Sequence, residues 1–213
     1  MKTYLTIDFD IIMAPTIETY NALASSEVDG WARIVEKNPL LGLSYPSIEI
    51  FNKIIDYLKF LHDQGFSGQD IHLIENHHEI VPLIKEEINL INVDHHHDIA
   101  YSDDDAFSIE DLNCGNWVKF LKDTDLIHSY YWINDSNSRW PWVGDCEKII
   151  NKQISIETTS LINLLKYDSI DKVIICFSAP WVPDRYRGLF DVLMKYIKAL
   201  FNMEEFNVEC QNS

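Results

Sequence analysis

The stretch INLINVDHHHD, residues 88–98, joins a run of Ile, Leu and Val to three histidines that stand between two aspartates. A short apolar run that is rich in β-branched residues and ends in polar residues predicts a buried β-strand. Because side chains alternate between faces along a strand, Asp94, His96 and Asp98 are predicted to share one side, with the other two histidines facing away. Two carboxylates and an imidazole that converge at the end of a strand predict a metal site.

Apolar runs with strand character alternate with helical patterns along the rest of the chain. Strands are predicted at residues 4–13, 70–75, 88–94 and 126–135, and residues 171–183 are predicted to be a strand that runs into a Pro-containing loop. Helices are predicted at residues 16–38, 46–65, 78–88, 108–125, 156–168 and 184–202. This alternation predicts an α/β fold with a mostly parallel sheet and helices on both faces, which is a three-layer α/β/α arrangement. The length of 213 residues fits a single domain, residues 1–213.

The helix at residues 46–65 has the clearest boundary signals. Ser47 is predicted as its N-cap and Gly65 as its C-terminal stop. The apolar stripe between them consists of Ile48, Phe51, Ile54, Ile55, Leu58 and Leu61. Pro82 fits the helix at residues 78–88 only near its first turn.

The composition narrows the classes of partner. The chain has 17 Lys and Arg against 34 Asp and Glu, which gives a formal net charge of −17. This balance argues against nucleic acid and against anionic membrane as partners, and it suits a cationic substrate. The first residues are too acidic for a signal peptide, no apolar run reaches membrane-spanning length, and the four cysteines lack CxxC spacing. We therefore expect a cytoplasmic protein with reduced thiols.

Polar clusters also follow two other predicted strands. The first strand ends in DFD, and the alternation of side chains predicts that Asp8 and Asp10 share a face. The second ends in ENHHE, where His77 follows the strand more directly and is the preferred ligand, with His78 left open. Because sites in parallel sheets form at the carboxyl ends of strands, these clusters are expected to meet the DHHHD segment at one edge. An Asp-x-Asp pair after a strand is also common as a turn or helix cap without metal.

The ligand types indicate which metal is expected. Buried carboxylates are unfavourable unless they are paired or bound to metal. A site rich in carboxylates with one or two imidazoles favours hard or borderline divalent ions, and Mn²⁺ is expected above Zn²⁺ or Cu²⁺. The aspartates and histidines of the three clusters suffice for two ions with shared carboxylates. Two ions about 3.5–4 Å apart lower the pKa of a shared water and supply hydroxide at neutral pH.

These motifs resemble those of the arginase-like ureohydrolases. VDHHHD is similar to their Asp-x-His-x-Asp motif, TIDFDIIMAP to their Ser-x-Asp-x-Asp motif followed by proline, and the histidine of ENHHE to one that ends an earlier strand. CGNW is faintly similar to their Ser-Gly-Asn-x-His segment. The common arginases carry the Asp-x-Asp motif late in the chain, whereas it opens this chain. The strand ends of one sheet can supply the same ligands in another order, and the pattern resembles a divergent branch that includes the peptide arginases.

The resemblance implies a fold of the arginase and deacetylase kind with two Mn²⁺ ions per chain, bridged by Asp94 and Asp8. It implies that one ion takes His77, Asp94, Asp98 and Asp8, and that the other takes Asp94, His96, Asp8 and Asp10. The implied activity is hydrolysis of arginine side chains to ornithine and urea. The chain is shorter than the common arginases, which favours arginine within a larger substrate, a ribosomally synthesised precursor peptide.

Catalytic roles follow from the same resemblance. Asp10 or Asp98 is expected to pass a proton to the leaving amine. Asn116 is a candidate for a hydrogen bond to the substrate, with a helix cap as the alternative. Trp117 stands where the family has a histidine that shuttles protons. The family holds the guanidinium with a late glutamate that has no clear counterpart here, and the candidates at strand ends are Asp184, Glu75 and Glu79.

Other functions stay open at this point. One is a metal-dependent deacetylase or amidase on the same scaffold, an enzyme class that usually holds a single zinc. Another is a non-catalytic peptide-binding module that retains a structural metal. The aromatic segment SYYWINDSNSRWPW, residues 129–142, could line a peptide groove or pack beneath a long loop, and Trp181 and Pro183 are better placed for a groove. Assembly into a homo-oligomer is also left open.

Overall fold

The computed structural model describes residues 1–14, 45–99, 109–134, 159–160 and 169–208. The strands are β1 (Lys2–Asp8), β2 (Met13–Ala14), β3 (Tyr45–Pro46), β4 (Ile71–Ile74), β5 (Ile88–Val93), β6 (Ile127–Asn134), β7 (Thr159–Ser160), β8 (Lys172–Cys176) and β9 (Asn207–Val208). The α-helices are α1 (Ile48–Asp63), α2 (Trp117–Asp123) and α3 (Arg187–Phe201). Short 3₁₀ helices lie at Phe9–Ile12, Gly68–Asp70, His77–Leu83, Ile109–Asp111 and Asp184–Tyr186. The helix predicted at residues 16–38 and the loop predicted at residues 136–145 lie outside the described residues.

Every pair of neighbouring strands in the main sheet is parallel. Within the described residues the strand order is β7-β6-β5-β1-β8-β4-β9, and a separate antiparallel pair joins β2 to β3. The edge strands β7 and β9 are two residues long, so the five strands between them form the body of the sheet. The predicted α/β fold with a mostly parallel sheet is confirmed.

Helices cover both faces of this sheet. Leu5 of β1 packs in one apolar cluster with Ile54 of α1 and Leu193 of α3. Its neighbour Tyr4 packs in a second cluster with Trp117 of α2. Because successive residues of a strand point to opposite faces, the two clusters lie on opposite sides of the sheet. The layers are therefore helix, sheet and helix, as expected for parallel strands connected by crossovers.

The boundaries of α1 agree with the sequence prediction. The Ser47 hydroxyl accepts a hydrogen bond from the Ile50 N–H at 3.2 Å, which caps the first turn. Gly65 has a φ of +87°, a left-handed conformation that glycine adopts without strain, just beyond the end of the helix. Ile48 was expected in the apolar stripe but is 56% exposed. The side chain of a first helical residue leans toward the N-terminus and so extends past the helix end.

The first strand is shorter than predicted. A continuous strand over residues 4–13 was expected, but β1 ends at Asp8 and the 3₁₀ helix Phe9–Ile12 follows. The carboxylate of Asp8 accepts a hydrogen bond from the Asp10 N–H at 3.0 Å. Such a local bond between side chain and backbone competes with strand pairing, and it turns the chain at this point.

Two helices differ from their predicted type or length, each for a local reason. The helix predicted at residues 78–88 is the 3₁₀ helix His77–Leu83, which contains Pro82. Proline supplies no N–H and disfavours an extended α-helix. The helix predicted from residue 108 becomes α-helical only at Trp117, because the side chains of Asn113 and Asn116 bond to backbone N–H groups in the turn before it.

The segment at residues 156–168 was predicted to be helical. Within it, Thr159–Ser160 pairs in parallel with Ile133 and Asn134 of β6, and the prediction is wrong for these residues. The remainder of that segment lies outside the described residues. Among the helices of the described residues, none combines the length and the apolar character needed to cross a lipid bilayer.

We expect Ser47→Ala to lower the free energy of unfolding by about 1 kcal/mol, because the substitution leaves an N–H in the first turn of α1 without its acceptor. Urea denaturation followed by circular dichroism measures the loss. Ser47→Asp supplies another capping oxygen and should retain most of the stability. Equal loss in both variants would show that the cap is not the source of the effect.

Candidate metal centre

Three segments with ionisable side chains meet at the carboxyl edge of the sheet. Asp8 is the last residue of β1, Asp94 directly follows β5, and His77 opens the 3₁₀ helix that comes shortly after β4. Parallel strands end at the same edge of their sheet, and β1 lies between β5 and β8 near its centre. The strand order therefore brings residues from the beginning and the middle of the chain into one site.

The first group of potential ligand atoms surrounds His77 and is buried. Nδ1 of His77 lies 3.2 Å from Oδ2 of Asp8 and 3.1 Å from Oδ2 of Asp94. Oδ2 of Asp98 lies 3.0 Å from the same nitrogen. Nδ1 of His77 and Oδ2 of Asp94 form no hydrogen bond of suitable geometry within the described residues. One imidazole nitrogen thus faces three carboxylate oxygens, which is an arrangement that suits a cation between them.

A second group lies beside the first and shares Asp94 with it. Nδ1 of His96 is 3.3 Å from Oδ2 of Asp10 and 3.4 Å from Oδ1 of Asp94. Asp94 therefore directs Oδ2 toward His77 and Oδ1 toward His96. Both oxygens of Asp10, which is fully buried, lack a hydrogen-bond partner in the described part of the chain. Buried carboxylate oxygens without partners are unfavourable, and a metal ion is a chemically suitable partner for them.

The DHHHD segment is a bend, and the argument from strand alternation was wrong about its conformation. β5 ends at Val93, and Asp98 has a positive φ of 53°. The side chains nevertheless divide as expected, because Asp94, His96 and Asp98 point into the cluster. The two other histidines face different partners. His95 Nε2 contacts the Met13 carbonyl oxygen, and His97 Nδ1 accepts the Ile99 N–H at 3.1 Å.

A buried network holds this bend in place. The side-chain N–H of Asn92 donates to the Tyr130 hydroxyl at 2.9 Å and to the His96 carbonyl oxygen at 3.3 Å. The Tyr130 hydroxyl in turn donates to the His97 carbonyl oxygen at 2.7 Å. The Trp132 indole N–H donates to the Asp94 carbonyl oxygen at 2.9 Å. Strands β5 and β6 therefore fix the backbone that carries the ligands.

Asp10 reaches the cluster by a turn. It was predicted to share a strand face with Asp8, but it lies in the 3₁₀ helix Phe9–Ile12. Oδ1 of Asp8 accepts the Asp10 N–H, which leaves Oδ2 of Asp8 directed toward His77. The prediction that Asp10 belongs to the cluster is therefore correct, but the prediction that it lies on a strand is wrong.

Burial and mutual charge set the protonation of the cluster. Burial alone would lower the pKa values of His77 and His96, but the neighbouring carboxylates raise both well above the ordinary value. Burial and the charge of Asp94 raise the pKa of Asp98 to about 7. Burial, with the charges of nearby carboxylates, also raises the pKa of Asp10 well above its usual range. Burial would raise the pKa of Asp94 as well, but the two imidazoles lower it. Without metal, protons balance these charges, and a bound cation would displace them.

Two neighbours that the sequence analysis did not assign as supports orient the ligands. Thr6 Oγ1 lies 2.7 Å from Nε2 of His77. In the tautomer that donates Nε2–H to this oxygen, Nδ1 keeps a lone pair for a cation. The Trp117 indole N–H donates to Oδ2 of Asp98 at 2.7 Å, and its ring centroid lies 4.8 Å from that of His77. Thr6 stands two residues before Asp8 in β1, so strand alternation could have identified it.

Of the two neighbouring histidines in ENHHE, the structure brings only His77 into the cluster. His78 Nδ1 lies 3.7 Å from the Cys114 sulfur. Asn116 is buried, but its amide accepts the Asn113 N–H at 2.9 Å and donates to the Asp111 carbonyl oxygen at 3.2 Å. These bonds favour a structural role for Asn116 over a bond to substrate.

Two of the carboxylates suggested for guanidinium binding, Glu75 and Asp184, are exposed, and the third, Glu79, is engaged in its own turn. Asp184 is exposed and opens the 3₁₀ helix Asp184–Tyr186. Glu79 accepts the Glu75 N–H at 3.0 Å and the side-chain N–H of Asn76 at 2.8 Å, which ties it to its own turn. Trp181, which follows β8, contacts the cluster, with its ring centroid 4.6 Å from that of His96.

Comparisons of the chain with protein-family models, with curated proteins and with solved structures found no match. Fold and site define the class: an α/β protein whose parallel sheet carries a buried cluster of aspartates and histidines that could hold a metal ion.

We expect Asp94→Asn to abolish high-affinity binding of Mn²⁺ at both groups, because the amide keeps the shape of Asp94 but removes the charge that the groups share. Isothermal titration calorimetry measures the affinity and the number of ions. His78→Ala is the matched control and should bind as the unmodified protein does, since His78 faces Cys114. Unchanged binding in Asp94→Asn would contradict the shared role of this residue.

Thr6→Val should weaken Mn²⁺ binding by about 10–100-fold, because His77 loses the oxygen that fixes its tautomer and ring orientation. Thr6→Ser keeps the hydroxyl and should bind nearly as well as the unmodified protein. The same calorimetric titration distinguishes the two variants. Similar affinities for Val and Ser at this position would show that the bond to His77 does not support metal binding.

Proposed function

We propose that the protein is a hydrolase with two Mn²⁺ ions per chain that converts arginine side chains to ornithine and urea within a ribosomally synthesised precursor peptide. The observation that carries this proposal is the division of Asp94 between two groups, with one oxygen toward His77 and the other toward His96. A carboxylate that joins two ligand groups is the arrangement that a binuclear centre requires.

The composition of the cluster supports two divalent ions of intermediate hardness. Its carboxylates are those of Asp8, Asp10, Asp94 and Asp98, and its imidazoles are those of His77 and His96. Four ionised carboxylates and two neutral imidazoles match the charge of two divalent cations. Carboxylate and imidazole ligands without thiolate favour Mn²⁺ over softer metals. An amidase with a single ion would leave the group of Asp10 and His96 without a role.

The strand order supports the resemblance to the arginase-like ureohydrolases. Their Asp-x-Asp motif comes late in the chain, whereas here Asp8 and Asp10 come at its start. Because β1 lies between β5 and β8, these aspartates still meet the Asp-x-His-x-Asp motif that follows β5. The order of the motifs along this chain therefore differs from their order in the arginase-like ureohydrolases, but the same types of side chain meet.

The chemistry assigned to the cluster is the addition of water to a guanidinium carbon. Bound divalent ions supply Lewis acidity that makes water nucleophilic at neutral pH. Asp10 and Asp98 are the carboxylates suited to carry the mobile proton, because each could take it from the attacking water and become ionised again when the proton passes on. Water contributes its oxygen to the carbon, and the bond from this carbon to the arginine Nε breaks. The amine leaves with the two protons of that water, one of them passed on by the carboxylate, and the carbon departs as urea.

Charge and shape around the cluster support a cationic substrate that extends beyond one amino acid. The formal net charge of −17 attracts guanidinium-bearing chains over a range of about 8 Å at physiological salt. Trp181 is half-buried beside His96, and its indole offers an apolar wall and a surface for cation–π contact. These features favour arginine within a peptide as the substrate.

We expect the Mn²⁺-loaded protein to release urea from arginine-containing peptides and to leave a product about 42 Da lighter for each arginine converted, the mass of the lost CN₂H₂ unit. Mass spectrometry and a urea assay measure both products. Matched peptides with lysine in place of arginine should remain unchanged, and Asp94→Asn should be inactive.

Two results would count against parts of this proposal. Hydrolysis of free arginine with a higher kcat/KM than any arginine peptide would contradict the peptide substrate. Removal of acetyl groups from acetyl-lysine peptides, without release of urea, would instead identify a deacetylase.

A further inference from the structure

Ser178 is a buried residue whose hydroxyl has no hydrogen-bond partner in the described part of the chain. Its exposed fraction is 1%, and Oγ forms no hydrogen bond. Its φ is +56°, a left-handed conformation that is unfavourable for serine. A buried unpaired hydroxyl and a strained backbone both destabilise the folded state. Two unfavourable features at one buried position are typical of a functional site.

Strand pairing and backbone hydrogen bonds place Ser178 near the segments that carry the cluster of aspartates and histidines. Cys176, two residues earlier in β8, lies opposite Asp8 in the sheet register. The Ser178 N–H donates to the Glu75 carbonyl oxygen at 3.0 Å, in the segment that leads to His77. Ser178 is therefore bonded to the segment that follows β4, and it stands two residues after the β8 residue that pairs with the last residue of β1.

The third link runs through the turn that Ser178 begins. Its carbonyl oxygen accepts the Trp181 N–H at 2.8 Å and the Val182 N–H at 3.1 Å. This turn places the Trp181 ring against His96. The N–H and the carbonyl oxygen of Ser178 are thus both engaged, and only the hydroxyl remains for another molecule.

The chemistry of the surroundings indicates what that molecule offers. The cluster beside this turn is rich in carboxylates, so an anionic group would be repelled there. A guanidinium carries several N–H donors and no acceptor, and each donor needs an acceptor oxygen when it is buried. The serine hydroxyl has two acceptor lone pairs. Glu79 is already engaged, since its carboxylate accepts the Glu75 N–H and the side-chain N–H of Asn76.

We propose that the Ser178 hydroxyl positions the substrate by accepting a hydrogen bond from a guanidinium N–H, an assignment that rests on the proposed ureohydrolase function. Trp181, held by the same turn, forms the wall beside it. Ser178 binds and orients the guanidinium and takes no part in bond breaking.

The test compares Ser178→Ala and Ser178→Gly with the unmodified Mn²⁺-loaded protein. Alanine removes the hydroxyl and keeps the backbone conformation under the same strain, whereas glycine removes the hydroxyl and relieves the strain. We expect both variants to raise the KM for an arginine peptide by about 10–100-fold with a smaller change in kcat, since a bond to a charged group is lost. Their affinity for Mn²⁺ should be unchanged, and their melting temperatures should be equal or higher.

Ser67→Ala is the control, because Ser67 caps the 3₁₀ helix before β4 through the Gln69 N–H, at the opposite edge of the sheet. It should leave KM unchanged.

An unchanged KM in Ser178→Ala, or a loss of stability or of Mn²⁺ binding in both Ser178 variants, would overturn the assignment and leave the ureohydrolase function standing. If the unmodified protein releases no urea, the proposed function fails, and calorimetry with the same peptide decides on Ser178. If Ser178→Ala then binds the peptide more weakly than the unmodified protein, Ser178 is supported as a binding residue. Equal peptide binding in the two proteins, or no binding in either, would overturn the assignment.

Discussion

The burial of Asp94 between two imidazoles is the interaction on which the rest of this structure depends. Its two oxygens face His77 and His96, and three further aspartates lie around the same pair of rings. Charges removed from water are strongly unfavourable unless opposite charge compensates them. The imidazoles provide this compensation when they are protonated, and a bound metal ion could provide it instead. The fold therefore has to hold both groups at distances that suit either state.

The parallel sheet and its covering layers meet this requirement. The order β5-β1-β8-β4 places the ends of neighbouring strands within reach of one another, and the apolar clusters on both faces keep those strands rigid. Bonds from Thr6 and Trp117 to His77 and Asp98 then fix side chains that the strands alone would leave free to rotate. Trp132 bonds to the carbonyl oxygen of Asp94 and holds the backbone there. Positioning at the site thus depends on residues that bind no metal themselves.

Several features at the carboxyl edge of the sheet destabilise the folded state and offset part of the stability that this packing provides. Asp98 and Ser178 both have positive φ angles, and Asp10 and Ser178 both carry buried oxygens without hydrogen bonds in the described residues. Two of the four non-glycine residues with positive φ in the described residues therefore lie at this edge, and strain and unpaired polar atoms are typical of functional sites. The remainder of the described core follows ordinary apolar packing, with side chains such as Leu5 and Ile54 fully buried.

The sequence by itself determined the α/β class, the cap of α1 at Ser47, and the residue types that gather at the strand ends, because apolar periodicity and turn chemistry are local properties. It also indicated His77 and the DHHHD segment as ligands, since polar residues after buried strands need partners. Only the tertiary structure decided that Asp10 lies in a 3₁₀ helix, that the DHHHD segment bends after Val93, and that His78 faces Cys114 and not the cluster. The placement of β1 between β5 and β8 depends on pairing between residues far apart in the chain, which no local pattern encodes.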